Sequence, residues 1–137
     1  MKWKPSAPKS DRSKAIAKLD KVFSLYIRQR DAQNGYFKCI SCGQFKPLDQ
    51  ADCGHYINRQ HISTRFDEIN CNAQCRKCNR FEEGNMQGYR KGLIEKYGEK
   101  AVELLEIKKG NICKLSVTEI EILTKYYKEK LKENAKY

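Results

Sequence analysis

Apolar positions return every three or four residues from Ser13 onward, with Ile16, Leu19, Val22, Phe23, Tyr26 and Ile27 forming one stripe. That period predicts an amphipathic helix to about Asp31, whose polar face carries Lys14, Lys18, Lys21, Arg28 and Arg30. Asn34-Gly35 then turns the chain. Tyr36 to Ile40 reads as a short strand, and Gln50 to Asn58 as a second extended segment. From Arg59 to Asn70 no period survives, which predicts a long loop of the kind that usually carries function. A helix is expected from about Ala73. Beyond Gly84, Tyr89, Leu93 and Tyr97 line one side of another, and Gly98 marks its stop. A short helix over 99–107 is expected through Val102 and Leu105. The last helix opens on a capping box, Ser116-x-x-Glu119, and continues through Ile120, Leu123, Tyr127 and Leu131. Short extended segments and helices in this order predict an α+β fold with no internal repeat.

Charge narrows the partners. The 137 residues hold 28 Lys+Arg against 17 Asp+Glu, a formal charge of +11 that favours a polyanion. Residues 1–12 place Lys2, Lys4, Lys9 and Arg12 among prolines and serines, with too few apolar groups to fold alone, and read as a basic flexible arm. Residues 13–137 read as one domain: a leading helix over 13–34, a core over 35–92 and a helical tail over 93–137. Apolar runs are far shorter than the roughly 20 residues a bilayer requires, so no membrane role is expected. The N-terminus lacks an apolar signal core, and seven cysteines is an odd count, both pointing to a reducing cytoplasm rather than a disulfide framework.

The cysteines carry the sharpest chemistry. Cys39-x2-Cys42 and Cys75-x2-Cys78 are two short knuckles whose four thiolates suit a closed tetrahedral structural zinc. On the expected helix from Ala73, steps of three, four and seven place Cys75, Cys78, Asn79 and Glu82 within an arc of about 100°. Asn79 and Glu82 are oxygen donors suited to a hard cation such as Mg²⁺ or Mn²⁺. His55, with an imidazole that accepts a proton near neutral pH, is the candidate general base. Zinc would fix the helix against the hairpin bearing His55, so that imidazole and carboxamide face each other across a phosphate-sized gap. Arg59, Arg65, Arg76, Lys77 and Arg80 are candidate phosphate contacts. Cys53, Cys71 and Cys113 fall outside the zinc set and default to small buried thiols. Cys53, next but one to the base, leaves a second coordination scheme open.

The span Cys39-x2-Cys42, Gly54-His55-Tyr56, Asn70-x4-Cys75-x2-Cys78-Asn79 resembles the zinc-bearing HNH, or His-Me finger, endonucleases. More narrowly, the chain resembles the phage NinG (Rap) recombination family. The match runs through Leu19-Asp20-Lys21-Val22-Phe23, Cys39-Ile40-Ser41-Cys42-Gly43, Cys53-Gly54-His55-Tyr56-Ile57-Asn58-Arg59 and Thr64-Arg65-Phe66-Asp67-Glu68-Ile69-Asn70. Cys-x2-Cys-Asn-x2-Glu is also similar to phage endonuclease VII. The resemblance implies a ββα-metal nuclease core that cuts branched recombination intermediates, such as Holliday junctions or D-loops, in a bacterial host's cytoplasm. It implies His55 as base, Asn70 as the brace of the base's loop, and Asn79 and Glu82 as ligands of the catalytic cation. Many HNH enzymes carry an acid or histidine where this chain has Gly54. Asp52, on the same strand face, is expected to replace it, helped by a glycine-assisted bulge, with His61 as rival. A zinc-dependent nucleic-acid-binding module without catalysis fits the same residues, as does an assembly subunit docking through its terminal helices. A junction enzyme cuts two strands, so a homodimer would supply two sites, with the apolar stripes of the first and last helices as candidate surfaces, although an ordinary intramolecular core explains those stripes almost as well. Other recombination proteins are expected partners.

Overall fold

The computed structural model describes residues 10–134. Helix α1 spans Asp11–Arg30, and Ser10 starts it by accepting a hydrogen bond from the Ser13 amide at 3.1 Å. Residues 1–9 of the expected basic arm lie outside the described residues. Residues 10–12 correct it: they are cap and first turn, and the Arg12 guanidinium donates to the Leu115 carbonyl. Strands β1 (Ala32–Gln33), β2 (Tyr36–Lys38) and β3 (Phe45–Pro47) follow as a small antiparallel sheet in the order β1-β2-β3. A single 3₁₀ turn leads into β4 (Ala51–His55).

The segment between the hairpin strands is only partly the expected loop, because Ile62–Arg65 forms a one-turn helix, α2. The larger correction concerns the helix expected from Ala73. Cys71–Cys75 is instead a strand, β5, and Lys77–Phe81 is a single wide π-turn. All five residues of β5 are buried, and they pair with β4 in unbroken antiparallel register from Ala51↔Cys75 to His55↔Cys71. The knuckle spacing that looked helical belongs to a strand end and the turn after it. Unbroken register also removes the bulge expected at Gly54.

Past the π-turn, Glu83, Gly84 and Asn85 take left-handed backbone angles, reversing the chain into α3 (Met86–Tyr97). Gly98 ends α3 and leads to α4 (Glu99–Lys108), and α5 spans Val117–Asn134. The Ser116 hydroxyl accepts from the Glu119 amide at 3.1 Å, the forward half of the capping box, while its O–H donates to the Glu119 carboxylate at 3.1 Å.

The described residues form a mixed α+β fold with three apolar clusters. Leu19, Phe23 and Ile27 of α1 meet Ile120 and Tyr127 of α5 over Cys71 of β5, with Phe23 edge-on to Tyr127 at 4.9 Å. The stripes proposed as dimer surfaces therefore bury each other within one chain, each large side chain contributing roughly 1.5–3 kcal/mol. Phe37, Ala51 and Ala73 surround the knuckle thiols, and Tyr89, Leu93, Val102 and Leu105 join α3 and α4 to Ile57. No helix among the described residues is long and apolar enough to cross a membrane.

Candidate metal centre and hairpin site

Cys39 and Cys42 leave the tip between β2 and β3, Cys75 ends β5, and Cys78 sits in the π-turn. Their four sulfurs lie within 4.8 Å of one another, and the Cys42–Cys75 edge measures 3.9 Å. A zinc–sulfur bond of about 2.3 Å gives a tetrahedral edge of about 3.8 Å, so the cluster fits one zinc ion. Backbone and side-chain amides support negative sulfur: Cys75 N donates to Cys39 Sγ at 3.3 Å, and Asn85 Nδ2 to Cys78 Sγ at 3.5 Å. Burial raises the Cys39 thiol, but the amides of Cys75, Cys42 and Ser41 outweigh it and leave it below its ordinary value. Burial pushes the Cys78 thiol up to about 12, against the amide of Asn85. A metal ion would supply the positive charge that holds all four as thiolates.

The four-thiol cluster lies at one end of the β4–β5 hairpin, at Ala51↔Cys75, and His55 stands at the other, opposite Cys71. Its Nε2 lies 3.0 Å from the Arg65 carbonyl. A carbonyl only accepts, so Nε2 carries the proton and Nδ1 is the basic nitrogen. Burial lowers the His55 pKa despite the opposing hydrogen bond that the ring donates to the Arg65 carbonyl, so the ring is neutral at pH 7. Asn70, fully buried, closes the intervening loop: Oδ1 accepts from Ile57 N at 2.7 Å, and Nδ2 donates to Ile57 O and Thr64 O at 3.0 Å each. The residue after Thr64 supplies the carbonyl that orients His55.

Strand alternation sends Asp52 and Gly54 to one face of β4 and Cys53 and His55 to the other. On the first face, Asn79 Nδ2 donates to Asp52 at 3.0 Å, and Arg80 grips the same carboxylate at 2.9 and 2.8 Å. Burial raises the Asp52 pKa, but Arg80 and Asn79 overcome it and hold the carboxyl below its usual range. Asp52 and Asn79 are thus brought together, whereas His55 lies about 10 Å further along the strand and on the opposite face. The expected face-to-face arrangement of imidazole and carboxamide is absent. Glu82 makes no hydrogen bond to this pair: it is exposed and lines a cleft beside the thiols with Gln44, Lys46 and Gln50. His61 begins α2, half-buried, with its backbone engaged by Thr64 and Arg65.

The cations differ in freedom. Arg65 is an internal strut, with its guanidinium on Asp20 of α1 and only 18% of its side chain exposed, which corrects the surface role expected of it. Arg59 also reaches Asp20 but is 58% exposed. Arg76 is exposed and caps the Asp49 carbonyl, and Lys77 is exposed in the π-turn. Cys71 is buried and Cys53 half-buried, but Cys113 is exposed, against the expectation of a buried thiol.

Two residues that sequence reasoning passed over shape this site. Gln74 lies fully buried over Gly54, and its Nε2 donates to Ser41 at 2.8 Å and to the Gly84 carbonyl at 2.6 Å. A Cβ at position 54 would come within 2.1 Å of Gln74 Oε1, so the space beside Gly54 is already filled. Tyr89 is the other, its buried hydroxyl donating to the Gly54 carbonyl at 2.7 Å. The β4–β5 alternation was the available signal for Gln74. Nothing in the local pattern marks Tyr89 beyond an apolar helix position.

The fold and site define a small basic α+β protein with a four-cysteine cluster able to hold a metal such as zinc. Residues 1–136 match the family described as Bacteriophage Lambda NinG protein, and the chain belongs to that family. It is 35% identical over 123 residues to "Protein ninG" of Escherichia phage 933W, covering 89% of this chain and 59% of that protein. The corresponding proteins of Escherichia phage lambda and Salmonella phage P22 are 33% and 34% identical, over 89% of this chain and 58% of theirs. The chain therefore spans about three-fifths of the length of these relatives. No solved structure matches it.

Proposed function

We propose that the protein is a metal-dependent endonuclease of the HNH type acting on branched DNA, with zinc as a structural ion and His55 as general base. One observation carries the reading: a neutral imidazole at the end of a clamped hairpin, with Nε2 tied to the Arg65 carbonyl and Nδ1 left basic. That is the state a base needs to take a proton from water at pH 7. The hard-cation site is assigned to Asp52 and the Asn79 carboxamide, with Arg80 moving aside and Asn79 turning to present oxygen. One carboxylate and one amide oxygen suit Mg²⁺, which keeps most of its waters. When bound there it would offset charge on the phosphate and leaving oxygen. His55 and the Asp52–Asn79 pair stand on opposite faces of β4, so this reading requires the His55 ring or the hairpin to rearrange for both to meet one phosphate. Asn70 acts as a positioning residue, and Arg59, Arg76, Lys77 and Arg80 as phosphate contacts.

A second reading, a zinc-dependent nucleic-acid-binding module without cleavage, is favoured by the Gln74-filled slot at Gly54 and by Arg80 on Asp52. Incubating zinc-loaded protein with a four-way junction and Mg²⁺ separates the two. Cleavage lost in His55→Ala, with an altered Mg²⁺ requirement in Asp52→Asn, supports the enzyme. Salt-sensitive binding with no nicking by the wild type supports the module, and an unchanged Mg²⁺ requirement removes Asp52 from the site.

A further inference from the structure

Beyond the four-thiol centre, one face of the β4–β5 hairpin gathers a second set of soft donors. Cys53, His55 and Cys71 offer two sulfurs and an imidazole nitrogen that all lie within 4.8 Å of one another. Cys53 and His55 project from β4 two residues apart, and Cys71 faces His55 across the ladder, so the backbone register itself assembles the group.

We propose that Cys53, His55 and Cys71 form a second metal site, for a thiophilic divalent ion such as Zn²⁺. A tetrahedral zinc with sulfur at about 2.3 Å and nitrogen at about 2.0 Å separates its ligand atoms by roughly 3.4–3.8 Å. The observed limit of 4.8 Å exceeds this by about 1 Å, a difference that small side-chain rotations close. The His55 Nε2–H and the Cys71 thiol both donate to the Arg65 carbonyl, at 3.0 and 3.4 Å, which leaves Nδ1 as the ring nitrogen with a free lone pair for a metal. Charge also balances. Binding releases two thiol protons to solvent, and two thiolates with one divalent ion form a neutral group, which a half-buried apolar surface beside Leu19 and Phe23 accommodates far better than a lone charge. Cys53 and His55 are half-buried rather than sealed, giving an ion a way in. Three protein ligands leave the fourth position for water, so this site exchanges more readily than the closed four-cysteine centre.

This site goes beyond the nuclease reading and stands or falls separately. Where both hold, an ion on Nδ1 removes the proposed base, and occupancy and cleavage exclude each other.

Equilibrium dialysis against micromolar Zn²⁺ with elemental analysis, alongside ¹¹³Cd NMR of cadmium-exchanged protein, tests it. The expected result is two ions per chain and two thiolate-range cadmium resonances in the wild type and in Cys113→Ala. Cys53→Ala and Cys71→Ala should each hold one ion and keep only the four-sulfur resonance. Cys53 is half-buried, so Cys53→Ala keeps the test interpretable should Cys71→Ala unfold, and circular dichroism checks both. One ion in the wild type, or two retained in Cys53→Ala, overturns the proposal whatever the cleavage assay shows.

Discussion

At the residue level, Gly54 and Gln74 show how one position constrains another. A side chain at 54 would strike Gln74, which is itself held by Ser41 of the first knuckle and Gly84 beyond the second. Gly54→Ala should cost about 1–3 kcal/mol in denaturant unfolding. Gln74→Ala in the same chain should recover part of that, and strict additivity of the two costs would refute the steric account. Arg80 poses the complementary question, because it occupies the carboxylate assigned to the cation. Arg80→Ala should lower the Mg²⁺ concentration needed for half-maximal cleavage severalfold, read in a metal titration at fixed ionic strength; a higher requirement would count against Asp52 as the ligand. The four knuckle cysteines were legible from spacing and His55 as a candidate from residue type, whereas the bracing place of Asn70 came only from the family resemblance. The pairing of Asp52 with Arg80 and the closeness of Cys71 to His55 were not, because each depends on the register of a strand read as a helix.

At the level of elements, β5 teaches the clearest lesson. Cys71–Cys75 alternates apolar and polar residues, but over only five positions and with its two polar residues as buried as the rest, so the helical spacing of Cys75, Cys78, Asn79 and Glu82 outweighed that signal. The helices α1, α3, α4 and α5 were readable because each keeps one wet face. What joins α1 to β5 was not readable: Asp31 accepts from the Ala73 amide at 2.8 Å and from Lys96 at 2.9 Å, and Arg30 reaches the Cys71 carbonyl at 2.9 Å. Burial raises the Asp31 pKa, but Arg30, Lys96 and the Ala73 amide outweigh it, so the folded value lies below the unfolded one near 3.8. The resulting stabilisation is complete above about pH 4 and disappears as pH falls through the lower folded value. Asp31→Asn should therefore lose about 1–3 kcal/mol at pH 7 and show a shallower acid limb in thermal melts. A parallel acid limb in wild type and variant would show that Asp31 does not carry it.

For the whole molecule, the four-thiol centre joins the small β1–β3 sheet to the hairpin, beside the apolar contact of Phe37 with Ala51 and Ala73. Structural zinc contributes on the order of 10–16 kcal/mol in small modules, more than a domain's typical net stability. Chelation should unfold at least the hairpin region, seen as lost amide protection over β2 to β5, and full protection after complete zinc removal would contradict the clamp. The charge of +11 predicts DNA affinity that falls steeply with salt, with Arg59, Arg76 and Lys77 exposed to contribute. Composition announced that charge at once, while only the fold separates these residues from Arg65, which is spent on Asp20.

The most direct measurement is a cleavage time course on end-labelled four-way junction and matched linear duplex, with Mg²⁺ or EDTA, using the zinc-loaded wild type and His55→Ala. The account predicts Mg²⁺-dependent nicks concentrated near the branch, at least a hundredfold slower in His55→Ala while junction binding persists. Equal cleavage by both proteins, or none by the wild type under conditions where it binds the junction, would contradict it.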